Sequence, residues 1–219
     1  MTDGTYLGTY LGLYSRDHAQ PLAAARERAE LLADLGLAAL VQDEEFDAFA
    51  AQTAAAFAAE LGPAAEGLYA MVNLITVQQT FVGLHNPPGE KPVDRTMSRD
   101  HGWCPEVVNR RAALVLPDVY AWPRFSGGHV VDSIGIRTYA GAPIAHGPSG
   151  TVFGTVCVVG AAALPEETDH VSLALIKDHA SRVAALIEER TGQPITSQLH
   201  AADPDGIAPG GRASRPEPG

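Results

Sequence analysis

The chain has 219 residues, 46% of them hydrophobic, enough to bury a full core in one or two domains. Its formal net charge of −11, with no Lys/Arg cluster, argues against nucleic acid or an anionic membrane as partner. Two cysteines, Cys104 and Cys157, form neither a short-spaced metal-ligand pair nor a disulfide framework, and no run approaches the ~20 apolar residues of a membrane span.

The first residues, MTDGTYLGTYLGLY, lack the basic and apolar regions of a signal peptide, so a soluble, cytoplasmic protein is expected. Residues 1–20 repeat Tyr-Leu-Gly and read as a flexible tail. Pro21 suits the first turn of a helix in which Leu22, Ala25, Ala29, Leu32 and Leu35 share a face, ended by Gly36. Asp43 is a candidate N-cap for a second helix burying Phe46, Phe49, Ala50, Thr53, Phe57 and Leu61, stopped by Gly62-Pro63. Residues 67–77 and 80–84 are apolar and β-branched, and predict a hairpin or kinked strand pair around Gln78-Gln79. Residues 86–95, with three prolines, form a loop. Ser98 could N-cap a short helix reaching Asn109, or that helix could begin near Cys104, since Pro105 belongs in a first turn.

Residues 112–116 predict a short strand, followed by the aromatic segment 120–125 and the Gly-rich stretch 126–129. Two apolar runs, 135–144 and 151–159, flank His146-Gly147-Pro148-Ser149-Gly150 and predict a hairpin whose second strand is central, because both its faces are apolar. Residues 165–190 carry the strongest helical pattern, with acids in the first turns, Arg190 in the last, and a stripe of Leu175, Ile176, His179, Val183, Leu186 and Ile187. From Gln193 the composition predicts a disordered tail, 193–219, leaving 21–192 as the folded unit. Adjacent strands with short loops imply an antiparallel sheet with helices packed on it, an α+β fold.

Several motifs stand in a telling order: Trp103-Cys104-Pro105, Leu114-Val115-Leu116-Pro117-Asp118, Pro123-Arg124-Phe125, Gly135-Ile136-Arg137-Thr138-Tyr139-Ala140-Gly141-Ala142-Pro143-Ile144, and Gly154-Thr155-Val156-Cys157-Val158-Val159. Together, across roughly residues 44–190, they resemble a GAF domain of the bacterial sensor type. Gly160 stands where that pattern usually has an acid, and the basic residue after it is absent. The resemblance implies a central antiparallel sheet with the terminal helices on one face. The other face would be covered by segments around 98–109 and 119–133 that enclose a small-molecule pocket. GAF domains mostly regulate, by binding ligands or chromophores or by dimerising; the fold alone does not choose.

Asp118 and Arg137 flank the lid segment. The structural reading, in which Asp118 caps a turn and Arg137 or Arg124 neutralises it, is preferred to an anion site at Arg137. Phe81, Trp122, Phe125 and Tyr139 could line an apolar pocket, with Trp103, Cys104, His129 and Arg137 as further ligand-contact candidates; each aromatic could equally fill the core. Loop histidines His85, His101 and His146 show no metal-binding spacing. Residues 128–133 loosely resemble the site loop of the free methionine-(R)-sulfoxide reductases, a GAF-fold thiol enzyme family. Val131 stands where that resemblance wants a cysteine, and the sequence offers Cys104 no evident resolving partner.

The expected function is therefore non-enzymatic: a sensory module that binds an unidentified small molecule and signals through its terminal helices to another protein. The alternative is a ligand-free homodimer built from those helices. No cofactor and no metal are specified.

Overall fold

A computed structural model describes residues 22–199. The chain runs through helices α1 (22–34) and α2 (Glu44–Leu61), hairpin β1 (Tyr69–Ile75) and β2 (Gln78–His85), and short strand β3 (Thr96–Ser98). Then follow α3 (Cys104–Arg110), β4 (Leu114–Leu116) and the single turn α4 (His129–Asp132). Hairpin β5 (Thr138–His146) and β6 (Val152–Gly160), long helix α5 (Asp169–Thr191) and β7 (Ile195–Thr196) complete it. The sheet is antiparallel in the order β3-β2-β1-β6-β5-β4, with β7 added against β5.

β1 and β6 are the middle strands, and their alternation splits the core in two. Ala70, Val72, Phe153, Val156 and Val158 face the helices, whereas Tyr69, Met71 and Cys157 face α3 and α4. On the helical face Asp43 caps α2, its Oδ1 accepting from Glu45 N (3.0 Å) and Phe46 N (3.1 Å). Phe46, Phe49, Ala50, Thr53 and Phe57 are buried against the sheet as the spacing predicts, while Leu61 is half-buried. In α5, Ile176, His179, Val183 and Ile187 are buried together with Ala180 and Ala184, leaving Leu175 and Leu186 half-buried. His179 Nδ1 meets Thr53 Oγ1 at 3.0 Å; burial lowers its pKa and keeps the ring neutral. Arg190 ties the end of α5 to the start of α2, its two Nη atoms reaching Asp43 at 2.8 and 2.9 Å, and it also pairs with Glu45.

Three expectations need correcting, and one open choice is decided. In α1, Leu22 and Ala29 are exposed; the inner face is Ala25, Arg28 and Leu32, and Arg28 Nε donates to the Ile75 carbonyl at 2.9 Å. An apolar tally passes over that position because a cation there pays for burial only through the carbonyl it meets. Of the two starts left open for the short helix the structure takes Cys104, with Pro105 where its missing N–H costs nothing, while Ser98 ends β3. Gln79 lies inside β2, buried. Order also continues past Gly192: Ile195 is buried and pairs with His146, so the folded chain outlasts the composition signal. The expected tail over 1–20 and the remainder of 193–219 beyond residue 199 lie outside the described residues.

Candidate functional site

On the face away from the long helices, α3 lies over β5 and β6 and brings Cys104 down onto the sheet. Cys157 projects up to it from β6, and the two Sγ atoms are 3.5 Å apart, both buried. The Tyr139 hydroxyl donates to Cys104 Sγ at 3.5 Å, and the Cys157 thiol donates to Met71 Sδ at 3.7 Å. Tyr139 lies back along its own strand, over Gly141; a Cβ there would stand 2.1 Å from the hydroxyl, so glycine is what lets this ring reach the thiol. Trp103 closes the group, its ring centroid 5.4 Å from that of Tyr139.

Beside the thiols the strands carry buried polar groups. Asn73 Nδ2 donates to Gln79 Oε1 (2.9 Å), and Gln79 Nε2 donates to the carbonyls of Ser98 and His101, both at 2.8 Å. These bonds hold the β3–α3 connection against the sheet. Thr155, opposite Asn73 in the β1–β6 register, has a buried hydroxyl with no conventional hydrogen-bond partner. The Cys157 thiol lowers the pKa of Cys104 to about 6 against the opposing effect of burial, with Thr155, Tyr139 and Asn73 adding to the fall. The same contact, with burial, pushes Cys157 well up, because two thiols this close share one ionisation between them. Of the two thiols, Cys104 is therefore the more readily ionised.

Two spaces adjoin these groups. An inner cavity of about 50 Å³ is lined by Phe81, Trp103, Cys104, Tyr139 and Cys157, with Met71, Met97 and Gln79. It holds a few water-sized molecules and no planar ligand. An outer cleft of about 440 Å³ shares Val93, Met97, Ile134 and Ile136 with it, and adds Tyr69, Glu90, Lys91, Asp94, Ser98, His101 and His129. His101 and His129 stack there with centroids 4.4 Å apart. Among the described residues no three His, Cys, Asp or Glu side chains converge on a metal position. No described helix is long and apolar enough to cross a membrane.

The GAF domain family profile matches residues 45–187. The chain belongs to the GAF domain family. Solved structures similar to this GAF domain include a type II free methionine-R-sulfoxide reductase from Thermoplasma acidophilum, at 15% identity and TM-score 0.45 over 67% of this chain and 96% of that one. Another is the GAF domain of an Acinetobacter phosphoenolpyruvate-protein phosphotransferase, at 13% identity and TM-score 0.48, covering 77% and 92% of the two chains. A third is the cyanobacteriochrome receptor PixJ, at 14% identity and TM-score 0.48 over 66% and 96%. Among curated proteins none matches at a significant level.

In this GAF domain the sequence-nominated residues separate into three places. Phe81, Trp103, Cys104 and Tyr139 meet around the inner cavity, and His129 lines the cleft. Trp122 is 51% exposed and lies in a separate groove with Pro117, Asp118 and Leu164. Phe125 packs at the edge of the lid core under Arg124 and lines neither space. The reason is local. Asp118 caps the 3-10 turn Val119–Ala121 by accepting from Tyr120 N (3.0 Å), which buries Val119 and turns the residues after it outward.

Arg137 likewise faces away from the cavity. Its Nε and Nη2 grip Asp118 at 3.1 and 2.6 Å, and its guanidinium lies 4.5 Å from the Tyr120 ring centroid. Arg124 pairs with Glu106 (2.8 Å) instead of Asp118. Asn73, Gln79, Met71 and Met97 were not nominated from sequence. Their only sequence signal is parity: Met71 and Asn73 fall on the same strand face as the aromatic Tyr69.

Proposed function

We propose that this GAF domain is a regulatory module that takes a small polar or amphipathic molecule in the outer cleft and relays its occupancy to the terminal helices. The observation that carries the reading is the cleft itself: about 440 Å³, inside the usual ligand range, with an apolar bottom and a rim of Lys91, Asp94, His101 and His129. Of the aromatics expected to line a pocket, Phe81 and Tyr139 close on a space too small for such a ligand and Trp122 and Phe125 lie outside it, so we assign the ligand to the adjoining cleft.

A connected route supports the relay. Arg95, between the cleft residues Asp94 and Thr96, bonds Asp47 of α2 at 2.7 Å, and Asp43 at the start of the same helix is gripped by Arg190 of α5. A ligand that orders residues 90–98 therefore acts on the helix that α5 holds. The apolar stripe of α5 packs on its own sheet, so the homodimer reading draws no support from it.

Native mass spectrometry on the full chain isolated from its own host tests this. The expected result is a co-purifying small molecule that is released on denaturation and lost in His129→Ala at unchanged fold. At a hundredfold excess over its Kd such a ligand adds about 2.7 kcal/mol, a Tm rise of roughly 5–10 °C. A chain that carries nothing and gains no stability from its host's metabolite extract would refute the reading.

A further inference from the structure

Every sulfur-bearing side chain among the described residues, Met71, Met97, Cys104 and Cys157, lines the same inner cavity. The two cysteines are 53 positions apart in sequence, and only the seating of α3 on β6 brings their Sγ atoms to 3.5 Å. No Asp, Glu, Lys, Arg or His lines that cavity, whose volume of about 50 Å³ suits a solute of a few atoms. Val93, Met97, Ile134 and Ile136 line both that cavity and the larger cleft, so the thiols lie beside a space that small solutes can enter.

We propose that Cys104 and Cys157 are a reversible dithiol–disulfide pair oxidised by hydrogen peroxide, with Cys104 as the attacking sulfur and Cys157 as the resolving one. The Cys104 thiolate attacks one peroxide oxygen; an S–O bond forms, the O–O bond breaks, and the departing hydroxide takes up a proton and leaves as water. Cys157 then attacks the Cys104 sulfenic sulfur; the S–S bond forms, the S–O bond breaks, and hydroxide leaves with the Cys157 proton as a second water. Two thiols and one peroxide thus give one disulfide and two waters.

Tyr139 directs the order, because its hydroxyl donates to Cys104 while Cys157 donates to the weak acceptor Met71. The depressed pKa of Cys104 beside a raised one at Cys157 agrees with those roles. Closing the sulfurs to bonding distance moves Cys104 or its partner by about 1.5 Å. Cys157 sits on a middle strand held on both sides, so the first turn of α3 moves, and with it Trp103, which lines the cavity. The inference goes beyond ligand binding and does not depend on what the cleft takes.

The test treats the reduced full-length protein with hydrogen peroxide and follows intact mass, peptide mapping and tryptophan fluorescence. The expected result is loss of two hydrogens, a peptide linking Cys104 to Cys157, a change in Trp103 emission, and reversal by dithiothreitol. Cumene hydroperoxide and glutathione disulfide, too large for the cavity, should react at least tenfold more slowly by this size argument. Cys157→Ser should stop at a sulfenic acid on Cys104 that dimedone traps, whereas Met71→Leu should oxidise at the wild-type rate.

Three outcomes overturn the proposal. One is oxygen added to Met71 or Met97 while both thiols stay free. Another is oxidation by the bulky reagents as fast as by peroxide, which would mean reaction through an opened chain. The third is a stoichiometric Cu(I) or other soft ion that blocks oxidation until stripped and is lost in Met71→Leu, which would make the sulfurs a metal site. The wild-type result stands whether or not any variant folds.

Discussion

Asp47→Asn tests whether the cleft wall is fixed to the helical layer by charge. Asp47 Oδ2 accepts from Arg95 Nη2 at 2.7 Å and from Gln42 Nε2 at 3.2 Å, while Oδ1 accepts from Leu84 N at 2.8 Å. The amide keeps the shape, removes the charge and turns an NH2 group toward a donor. Arg95 then keeps only its bond to the Phe81 carbonyl (3.0 Å) and a long contact to that of Val82. A charge-assisted hydrogen bond contributes ~1.5–3 kcal/mol, and with side chains 27% and 24% exposed solvent screening trims this modestly. The expected loss is about 2 kcal/mol, or roughly 4–8 °C in Tm for a domain of this size.

The pH dependence separates charge from shape in that prediction. Burial works to raise the Asp47 pKa, but the bonds from Arg95 and the Leu84 N–H outweigh it, and the folded value lies below the unfolded one. Its stabilisation is therefore complete above the unfolded carboxylate pKa of about 4 and is lost as pH falls through the lower folded value. Urea denaturation should show wild type above the variant at neutral pH, with the gap closing as pH falls below the unfolded carboxylate pKa of about 4. Equal midpoints at neutral pH, or a gap that acid leaves unchanged, would refute the electrostatic reasoning.

Two more predictions concern packing and the lid. Gly83→Ala should cost about 3 kcal/mol in a thermal melt, because its Cβ would stand 2.4 Å from the Phe46 carbonyl oxygen and push α2 off β2; an unchanged Tm would contradict that close approach. Asp118→Ala should cost only about 1 kcal/mol, the value of a lost turn cap, since its ion pair with Arg137 is about a third exposed (31% and 36%) and screened by water. The bonds from Arg137 and Tyr120 N hold the Asp118 pKa down, so this contribution is present above about pH 4 and fades as pH falls below it. Outright unfolding of this variant at neutral pH would mean that the pair carries far more than its exposure allows.

What the sequence determined by itself is the set of elements with strong periodicity or strong stops. The Asp43 cap and the Phe46–Phe57 face specified α2, the stripe from Leu175 to Ile187 specified α5, and a second run apolar on both faces after a Pro-Gly loop placed β6 in the middle of the sheet. These features repeat over several turns, so local chemistry suffices. The motif order across residues 103–159 likewise sufficed for the family.

The site was decided elsewhere. Phe81, Trp103, Cys104 and Tyr139 were legible as candidates, but Trp122, Phe125 and Arg137 could be excluded from the cavity only once the Asp118 cap had turned that segment outward. Cys104 and Cys157 read as unrelated because nothing within 53 positions of chain records that α3 sits on β6. Gln79 read as part of a break between two strands and Asn73 carried no signal inside the first of them, because a polar side chain in a strand shows its purpose only when its partner is in view. Local sequence sets which face a side chain takes; the long-range pairing of strands and the seating of one short helix set what it meets there, and chemistry depends on that meeting.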